Sequence, residues 1–238
     1  MTVAVHAVPS PRLTDAEIAP WRRVPVAVAV DLSHECQVDP AIRPLNPPGR
    51  QPALFGRAVT ALCDPPDFGA VIHAIAQIGP GDVLVIAAAG DRVTAMIGEI
   101  IGGHLRDRGC AGVVCDGAVR DVATLSGLAG YPVYARSITP RGPISAERGA
   151  VNVPVVVGGR LVAPGDLVIG DDDGLAALSP AMVRTRLGDA EARLAREARW
   201  VEDLAGGRPA LETFGLAPAP GAAAGRRAAA PRSSRRKS

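Results

Sequence analysis

Short, uninterrupted apolar runs alternate with helical patterns through the middle of the chain, and this alternation limits the possible folds more than any other feature. Residues 83–87 and 113–115 are apolar at every position rather than at every second one. A strand with that pattern is covered on both faces, which is typical of a parallel sheet flanked by helices. The sequence therefore predicts an α/β fold with strands at Ala58–Leu62, Asp82–Ala87, Gly112–Asp116 and Pro132–Ala135, and helices at Phe68–Ile78, Arg92–Arg108 and Asp121–Leu128.

The helix Arg92–Arg108 is predicted from its periodicity. Apolar side chains recur there at the spacing of three and four residues that places them on one face of a helix. That predicted face consists of Val93, Ile97, Ile100, Ile101, His104 and Leu105.

The pattern changes after residue 150, where predicted strands follow one another without long helices between them. Two apolar runs, Val153–Val157 and Leu161–Ala163, flank a pair of glycines that tolerates the positive φ of a hairpin turn. Further strands are predicted at Leu167–Gly170 and Ala176–Leu178. A plain doubly wound fold is disfavoured, because this half lacks crossover helices. The long final helix is predicted from Ser179, with an apolar face of Val183, Leu187, Ala190, Leu194, Ala198 and Val201.

The predicted organisation is one α/β domain, residues 21–205, between an arm and a tail. Residues 1–20 form the arm, where Thr14 and Glu17 have the spacing of a capping box at the start of a short helix. Residues 206–238 form the tail, which is rich in Gly, Ala and Pro. We expect the tail to be disordered after about Leu216, because it has little apolar area to bury.

Positive charge is concentrated in the tail. Six of the 26 basic residues lie beyond position 225, whereas none of the 24 acidic residues does, so residues 1–225 carry a net charge of −4. Only 3% of the residues are aromatic, which argues against a stacking surface for nucleic acid. We interpret the tail as a solubilising extension, with weak attraction to RNA or anionic lipid as the alternative. The six cations beyond position 225 are Arg226, Arg227, Arg232, Arg235, Arg236 and Lys237.

Lysine is almost absent from the chain, and this excludes several kinds of chemistry. Lys237 is the only one. A core site therefore cannot form the Schiff base of a pyridoxal-phosphate enzyme or of a lysine-type aldolase. It also cannot contain the phosphate-binding lysine of a P-loop. A carbanion formed in such a site would need another group to accept its electrons.

The sequence predicts a cytoplasmic protein with reduced thiols. The first ten residues lack the charged and long apolar regions of a secretory signal, and no apolar run approaches the roughly 20 residues of a membrane helix. The cysteines at 36, 63, 110 and 115 lack the paired spacing of disulfide or zinc frameworks. We therefore expect no contact with a membrane.

Arg120 and Asp121 are the candidate chemical residues. They follow directly on the predicted strand Gly112–Asp116 and its glycine turn, and ligand sites in α/β folds lie beyond the carboxyl ends of strands. A guanidinium group binds carboxylates through a planar fork, and an aspartate supplies a hard oxygen to Mg²⁺ or Mn²⁺. The alternative from the residues alone is that the two charges only cap the following helix.

Twenty residues separate Glu99 from Arg120, and this spacing belongs to a larger pattern. Together with GCAGVVCDGAVRDV, YPVYARSITPRGP and VNVPVVVGGRLVAPGDLVIGDDDG, it resembles the RraA-like family. That family includes the 4-hydroxy-4-methyl-2-oxoglutarate/4-carboxy-4-hydroxy-2-oxoadipate aldolases. The resemblance runs from about Val24 to the final helix. It implies a layered β/β/α sandwich of the swivelling-domain type and a homotrimer, sometimes doubled to a hexamer.

The resemblance also implies roles for particular residues. Arg120 would contact the substrate, Asp121 would bind the divalent metal ion, Mg²⁺ or Mn²⁺, and Glu99 would complete the catalytic motif. The backbone amides of Gly98, Glu99, Ile100 and Ile101 would hold the carboxylate or enolate end of the substrate. Amides that bind an anion suit the start of a helix, so the family places the helix start nearer Gly98 than Arg92.

The chain departs from the family pattern close to these residues. Thr124 stands where many members have an acid, so we expect a supporting hydrogen bond to be lost there. Residues 87–89 are all alanine where relatives often begin with Asp, and Asp31 lies in a segment that is usually richer in Thr and Ser. These changes leave the choice of substrate open.

The implied reaction is metal-dependent carbon–carbon cleavage of a small 2-oxo acid. Retro-aldol cleavage of a 4-hydroxy-2-oxo acid and decarboxylation of oxaloacetate both pass through the enolate of pyruvate, which the metal ion stabilises as a Lewis acid. The base remains open between a water held by the metal or Glu99 and a carboxylate of a neighbouring subunit. A non-catalytic protein that docks on ribonuclease E is the alternative, because some RraA relatives act in that way.

Other motifs favour ordinary structural roles. Asp171–Asp173 lacks the spacing of an EF-hand and is predicted to be a solvated turn. Cys110 and Cys115 are predicted to be buried thiols. His34, His73 and His104 are predicted to be packed or surface residues rather than ligands, and His73 is the one to check for proximity to the site.

Overall fold

The structure is a computed structural model that describes residues 2–217 and residue 219. The chain divides into two compact units at Leu194 and Ala195. In the second unit, the rings of Trp200 and Phe214 pack edge to face with centroids 5.2 Å apart. The basic part of the predicted tail lies outside the described residues.

The described residues contain twelve strands and eight α-helices, and their order alternates through the first half of the chain. Two short 3₁₀ helices, Ala19–Arg23 and His34–Cys36, lie near the start. The strands are Ala4–Val5 (β1), Arg43–Pro44 (β2), Leu54–Leu62 (β3), Asp82–Ala87 (β4), Ala95–Ile97 (β5), Gly112–Val119 (β6), Val133–Ile138 (β7), Ala150–Val151 (β8), Val155–Val157 (β9), Arg160–Val162 (β10), Leu167–Gly170 (β11) and Leu175–Leu178 (β12). The helices are Asp15–Ile18 (α1), Val26–Leu32 (α2), Gly69–Ile75 (α3), Glu99–Asp107 (α4), Val122–Gly127 (α5), Pro180–Thr185 (α6), Leu187–Ala205 (α7) and Ala210–Thr213 (α8).

A mixed sheet forms the centre of the first unit. β3, β4, β6 and β7 are parallel neighbours in that order. β11 extends the sheet antiparallel to β3, and β12 pairs antiparallel with β11. β5 pairs parallel with the end of β6, and the pairing of β6 with β7 shifts register between Cys115 and Ala118. The α/β class is therefore confirmed, and the parallel centre explains the uninterrupted apolar runs.

The central sheet is covered on both faces, which gives three layers. Successive side chains of a strand point to opposite faces, so each strand contributes to both cores. Leu84 and Ile86 of β4 pack with residues of α3, α4 and α5 on one face. Val83 and Val85 pack with Val155 and other residues of the hairpin β9–β10 on the opposite face. This is the predicted β/β/α sandwich, and the hairpin predicted around Gly158 and Gly159 is confirmed.

The N-terminal segment forms a further core against β11 and β12. Leu13, Ile18 and Trp21 are buried there, and the indole nitrogen of Trp21 donates to the Val183 carbonyl oxygen over 3.1 Å. The capping box predicted at Thr14 is confirmed, since its hydroxyl accepts from the Glu17 amide and the Glu17 carboxylate accepts from the Thr14 amide. Residues within the predicted arm thus contribute to packing.

Two helix predictions are wrong in part. The helix predicted from Arg92 begins at Glu99, since Ala95–Ile97 pairs with β6 as a strand, and Val93 and Ile100 are exposed rather than part of a buried face. Strand pairing overrides the helical periodicity there. The start implied by the family resemblance, near Gly98, is the one observed. The long helix predicted from Ser179 is instead interrupted at Arg186 between α6 and α7.

Across the described part of the chain, no helix combines the length and the apolar character needed to cross a bilayer.

Candidate active site

Arg120 and Asp121 lie between the end of β6 and the start of α5. The Arg120 amide donates to the Ile97 carbonyl oxygen over 3.0 Å, which ties this junction to the end of β5. Asp121 has φ 55° and ψ 40°, a left-handed conformation that is uncommon outside glycine. Non-glycine residues in that region cluster at functional sites, because the surrounding structure must stabilise the strain.

The Asp121 carboxylate does not cap its own helix, although the residue stands at the start of α5. Its Oδ2 atom instead accepts a hydrogen bond from the Glu99 amide over 3.1 Å and lies 3.6 Å from Nε of Arg120. Among the described residues no hydrogen bond to Oδ1 is found. The Arg120 and Asp121 side chains are 42% and 38% exposed, so both reach solvent.

Gly98 lets these groups approach α4 closely. It precedes the helix and supplies no side chain to cap it. A Cβ atom at this position would overlap Oδ2 of Asp121 and would lie 2.9 Å from Cγ of Arg120. Only glycine therefore fits between the helix start and the Arg120–Asp121 pair.

The start of α4 is suited to bind an anion. Within the described chain, the amides of Ile100 and Ile101 have no hydrogen-bond acceptor, as expected for the first turn of a helix. Free amides and the helix dipole together favour a carboxylate at such a site. The Arg120 side chain lies beside this start of α4, because it approaches Gly98, which precedes the helix, and its guanidinium group also approaches Gly142.

Glu99 is exposed at the first position of α4, and its Oε2 atom accepts a hydrogen bond from the Thr124 hydroxyl over 3.2 Å. The expectation that Thr124 costs the motif a supporting hydrogen bond is therefore wrong. A hydroxyl at this place donates to the acid, which a second carboxylate could do only when protonated.

A cleft of about 390 Å³ opens beside these residues. Three of the predicted site residues line it, namely Gly98, Ile101 and Arg120. Glu99 and Asp121 lie next to the cleft through their contacts with those residues, but they do not line it. The Ile100 side chain is 78% exposed, so only the backbone amide of this residue is available to bind an anion at the start of α4. The other lining residues are Phe68, Ala95, Met96, Ile97, Gly142, Pro143, Ile144, Ser145 and Ala146.

The donor set at Asp121 fits a hard divalent cation of the Mg²⁺ type. In the described residues, no group of three or more His, Cys, Asp or Glu side chains could enclose a metal ion. Mg²⁺ does not need such a group, because it is often bound by one or two carboxylates and completes its octahedron with water and substrate oxygens. Oδ1 of Asp121 has no donor among the described residues and belongs to a side chain that is 38% exposed, so it is the oxygen available for this contact.

Replacing Gly98 by Ala tests the close approach at α4. We expect a 10- to 100-fold loss in turnover of a 2-oxo acid substrate, because the added methyl group displaces the Asp121 carboxylate and a misplacement of about 1 Å can cost that much. The thermal midpoint should change little, since Gly98 has an ordinary φ and its obstructing neighbours are side chains. Gly103→Ala on the same helix is the matched control, because a Cβ there meets open space. Equal activity of the two variants would contradict the assignment.

Asp67 anchors the segment that follows the cleft-lining residues 142–146, and its position in the sequence did not indicate this role. The residue is 0% exposed. Its carboxylate accepts hydrogen bonds from the amides of Gly69, Glu147 and Arg148 over 2.8, 2.9 and 3.1 Å. An aspartate two residues before a glycine that opens a helix was the available signal, but its distant partners could not be inferred from spacing.

The hydrogen bonds to Asp67 determine its ionisation. Burial alone would raise the pKa of this carboxyl, but hydrogen bonds from the Ser145 hydroxyl and from the three amides outweigh burial and hold the pKa well below its usual range. The ionised Asp67 carboxylate therefore joins the start of α3 to residues 145–148 through hydrogen bonds.

Replacing Asp67 by Asn should lower the free energy of unfolding by about 2–4 kcal/mol at neutral pH, because charge-assisted hydrogen bonds are lost in a buried place. A carboxyl whose pKa is lowered by folding stabilises the protein above its unfolded value, near 3.8, and loses that contribution as the pH falls towards the folded value. The difference in the free energy of unfolding between the Asp67→Asn variant and wild type should thus become smaller only below about pH 4. Denaturant unfolding at several pH values measures it.

Asp64→Asn is the control for that series. Asp64 is exposed and pairs with Arg148 over 3.2 Å, so its loss should cost less than about 1 kcal/mol. A difference between Asp67→Asn and wild type that stays constant down to pH 2 would show that the charge of Asp67 contributes nothing.

A second cavity, of about 730 Å³, lies at the ends of β3, β4 and β6. Its buried charges are already paired. Asp116 accepts from Nε of Arg136 and, over 2.7 Å, from the Gly158 amide, while Arg136 also donates to Asp39 over 2.9 Å. Burial raises the pKa of the Cys63 thiol in this cavity to about 12, so it is not a thiolate. The cavity therefore offers less chemistry than the cleft beside Arg120.

The remaining motifs have structural roles. Asp171 accepts from the amides of Val26 and Asp173 over 3.0 Å each, which confirms the predicted turn. Cys110 and Cys115 are buried, as predicted. His73 is exposed on α3 and does not line the cleft, which agrees with its prediction as a packed or surface residue rather than a ligand.

Comparison with known proteins identifies the family. The family model described as RraA-like, Aldolase/RraA, matches residues 11–176, which is well over half of the chain. This chain belongs to the RraA-like family. The matched range includes β6, α4 and the residues around Arg120 and Asp121.

Relatives of this RraA-like protein have two kinds of name. A protein of Halalkalibacterium halodurans named "Putative 4-hydroxy-4-methyl-2-oxoglutarate aldolase" is 34% identical over 162 residues, which are 68% of this chain and 75% of that protein. The structure of RraAS2 from Streptomyces coelicolor, described as an unusual member of the RNase ES inhibitor RraA protein family, is 26% identical. It superimposes with a TM-score of 0.68 and covers 79% of this chain and 97% of that one.

A third similarity concerns the fold alone. An uncharacterized protein from Pseudomonas syringae pv. tomato superimposes with a TM-score of 0.76 at 23% identity, covering 88% of this chain and 97% of that one. The layered fold of this RraA-like protein is thus shared by a chain of quite different sequence.

Proposed function

We propose that this RraA-like protein is a divalent-metal-dependent lyase. It cleaves a 4-hydroxy-2-oxo acid to pyruvate by a retro-aldol reaction, or decarboxylates oxaloacetate to the same product. The observation that supports the proposal is the close grouping of the Arg120 guanidinium, the free amides at the start of α4 and the Asp121 carboxylate beside one cleft, which Arg120 and Ile101 line. The relative in Halalkalibacterium halodurans, with its aldolase name, supports it.

Both reactions break the bond between C3 and C4 of the 2-oxo acid. The electron pair stays on C3 and gives the enolate of pyruvate. In the retro-aldol reaction the 4-hydroxyl proton leaves to a base and C4 becomes a carbonyl carbon, whereas in the decarboxylation C4 leaves as CO₂. A proton taken up at C3 completes pyruvate.

The chain's own residues bind the substrate and stabilise its developing charge. The amides of Ile100 and Ile101 bind the C1 carboxylate at the start of α4. Arg120 places a fixed positive charge beside the enolate oxygen, where such a charge stabilises the transition state more than the ground state. Asp121 would hold a Mg²⁺ or Mn²⁺ ion, and such an ion would supply Lewis-acid stabilisation of the negative charge that develops on the substrate. No lysine occurs before position 237, so an iminium route has no amine in the body of the chain.

Pyruvate release tests the proposal. Full-length protein is incubated with oxaloacetate or 4-hydroxy-2-oxoglutarate and Mg²⁺ or Mn²⁺, and pyruvate is measured by its reduction with lactate dehydrogenase. Each assay needs a control without protein at the same metal concentration, because divalent ions decarboxylate oxaloacetate slowly by themselves. We expect release that requires the protein and stops with a chelator. No release with either metal and either substrate would reject the enzyme.

The alternative is a regulatory protein that docks on a ribonuclease, and the likeness to RraAS2 of Streptomyces coelicolor favours it. Inhibition of ribonuclease E cleavage of RNA by the full-length chain, without any pyruvate release, would support this alternative. For either function we propose a homotrimer, the assembly that the family resemblance implies, which sedimentation would measure.

A further inference from the structure

Two glycines that are distant from each other in the sequence lie against the Arg120 side chain. A Cβ atom on Gly98 would lie 2.9 Å from Cγ and 3.1 Å from Nε of Arg120, and a Cβ atom on Gly142 would lie 2.6 Å from Nη1. Atoms in ordinary contact are 3.4–4 Å apart. A side chain at either position would therefore have to displace Arg120. Gly98 borders the stem of the arginine, and Gly142 borders one end of its guanidinium group.

The ion pair with Asp121 orients the guanidinium group only weakly. Nε of Arg120 lies 3.6 Å from Oδ2 of Asp121, which is longer than a hydrogen bond. The two side chains are 42% and 38% exposed, and an ion pair that reaches solvent contributes little to holding a long side chain in one geometry. The close approach of Gly98 and Gly142 therefore limits the direction of the guanidinium group more than the ion pair does.

Strand β5 fixes the backbone at Gly142 relative to that of Arg120. The Ala95 amide donates to the Arg141 carbonyl oxygen over 2.8 Å, and the Ile97 carbonyl oxygen accepts from the Arg120 amide over 3.0 Å. Ala95 and Ile97 are 1% and 2% exposed, so both hydrogen bonds are made by one buried strand. A retreat of the backbone from Arg120 would break a hydrogen bond to this strand and leave a buried group without a partner, which is costly. A side chain added at position 142 would thus move the guanidinium group rather than the backbone.

We propose that Gly142 is a positioning residue for Arg120. Because it has no side chain, it leaves room for Nη1 and so determines how the guanidinium group faces the cleft that both residues line. A fixed positive charge stabilises a developing oxyanion only when it is already placed at the reacting atoms. The inference rests on the proposed function for the reaction that Arg120 assists, and it adds to that site a residue outside the motif of Glu99, Arg120 and Asp121.

Gly142→Ala in the full-length protein tests this role. The φ of Gly142 lies outside the left-handed region, so the backbone accepts alanine and the thermal midpoint should not fall. We expect kcat/KM for pyruvate release to fall at least about tenfold, because a misplacement of about 1 Å can cost that much or more. Crystal structures of the variant and of wild type should show the guanidinium group displaced, since 2.6 Å is too short for an ordinary contact. Gly127→Ala, on α5, is the matched control and should keep wild-type activity, because a Cβ atom there meets open space.

Combining Gly142→Ala with Arg120→Ala separates positioning from an independent structural role. If Gly142 acts through the guanidinium group, Gly142→Ala should change kcat/KM by less than about twofold once that group is gone, because the effects of residues in contact do not add. A loss below tenfold from Gly142→Ala alone, an equal loss in both backgrounds, or a guanidinium group that does not move would overturn the inference. If wild type releases no pyruvate, the proposed lyase fails, and the two crystal structures alone decide whether Gly142 positions Arg120.

Discussion

Replacing Asp121 by Asn is expected to lower metal-dependent pyruvate release at least about 10³-fold, because a metal ion that polarises the substrate contributes several kcal/mol and 1.36 kcal/mol corresponds to a factor of ten. Asn has nearly the shape of Asp and tolerates the left-handed backbone found at this position. Its amide oxygen can still accept the hydrogen bond from the Glu99 amide. The substitution therefore removes the charge while keeping the local structure.

Two further measurements separate metal binding from folding at Asp121. The free energy of unfolding of Asp121→Asn should lie within about 0.5 kcal/mol of the wild-type value, as for most substitutions near the surface. Asp107→Asn, at the exposed end of α4, is the control, because its carboxylate only pairs with the neighbouring Arg106. Pyruvate release by Asp121→Asn within tenfold of wild type would remove Asp121 from the metal site.

Replacing Arg120 by Ala is expected to lower kcat/KM for pyruvate release by about 10²–10³-fold, the usual cost of losing one group that stabilises a developing oxyanion. Part of the loss should appear as a higher KM, because the guanidinium group also attracts the substrate carboxylate. Added guanidinium ion should restore some activity, since the space left by the side chain opens into the cleft.

The Arg120 substitution has its own control. Arg106→Ala removes an exposed arginine of α4 that pairs with Asp107, and its activity should match wild type. Activity of Arg120→Ala within threefold of wild type, or a loss that comes only from unfolding, would reject the role of Arg120.

The central sheet could be predicted because its strands depend on local patterns. Asp82–Ala87 and Leu167–Gly170 were predicted at their observed bounds, since buried strands are recognisable from apolar runs between glycine or proline turns. By contrast, α2 was not predicted. Val and Ala follow one another through Val26–Leu32, and alternating Val is as compatible with a strand as with a helix. Its packing over β12 decides between them, and that contact is not local.

The candidate site could be predicted only in part. The motif indicated Glu99, Arg120 and Asp121, and the structure brings these three residues together. The reason is that α4 begins after β5, α5 begins after β6, and the ends of these two strands are paired. The wall at residues 142–146 was not predicted. It reaches the cleft through hydrogen bonds to the loop around Asp67, which lies about 80 residues away in the chain. Sequence spacing carries no signal for a contact of that kind.

The most direct test of the central claim is Mn²⁺ binding to the full-length chain, measured by electron paramagnetic resonance with and without pyruvate. If Asp121 holds the cation against the 2-oxo acid, wild type and Arg120→Ala bind Mn²⁺, pyruvate strengthens binding in wild type, and Asp121→Asn binds at least about tenfold more weakly. Unchanged Mn²⁺ affinity in Asp121→Asn, with pyruvate still strengthening it, would contradict the account, because the cation would then be bound elsewhere.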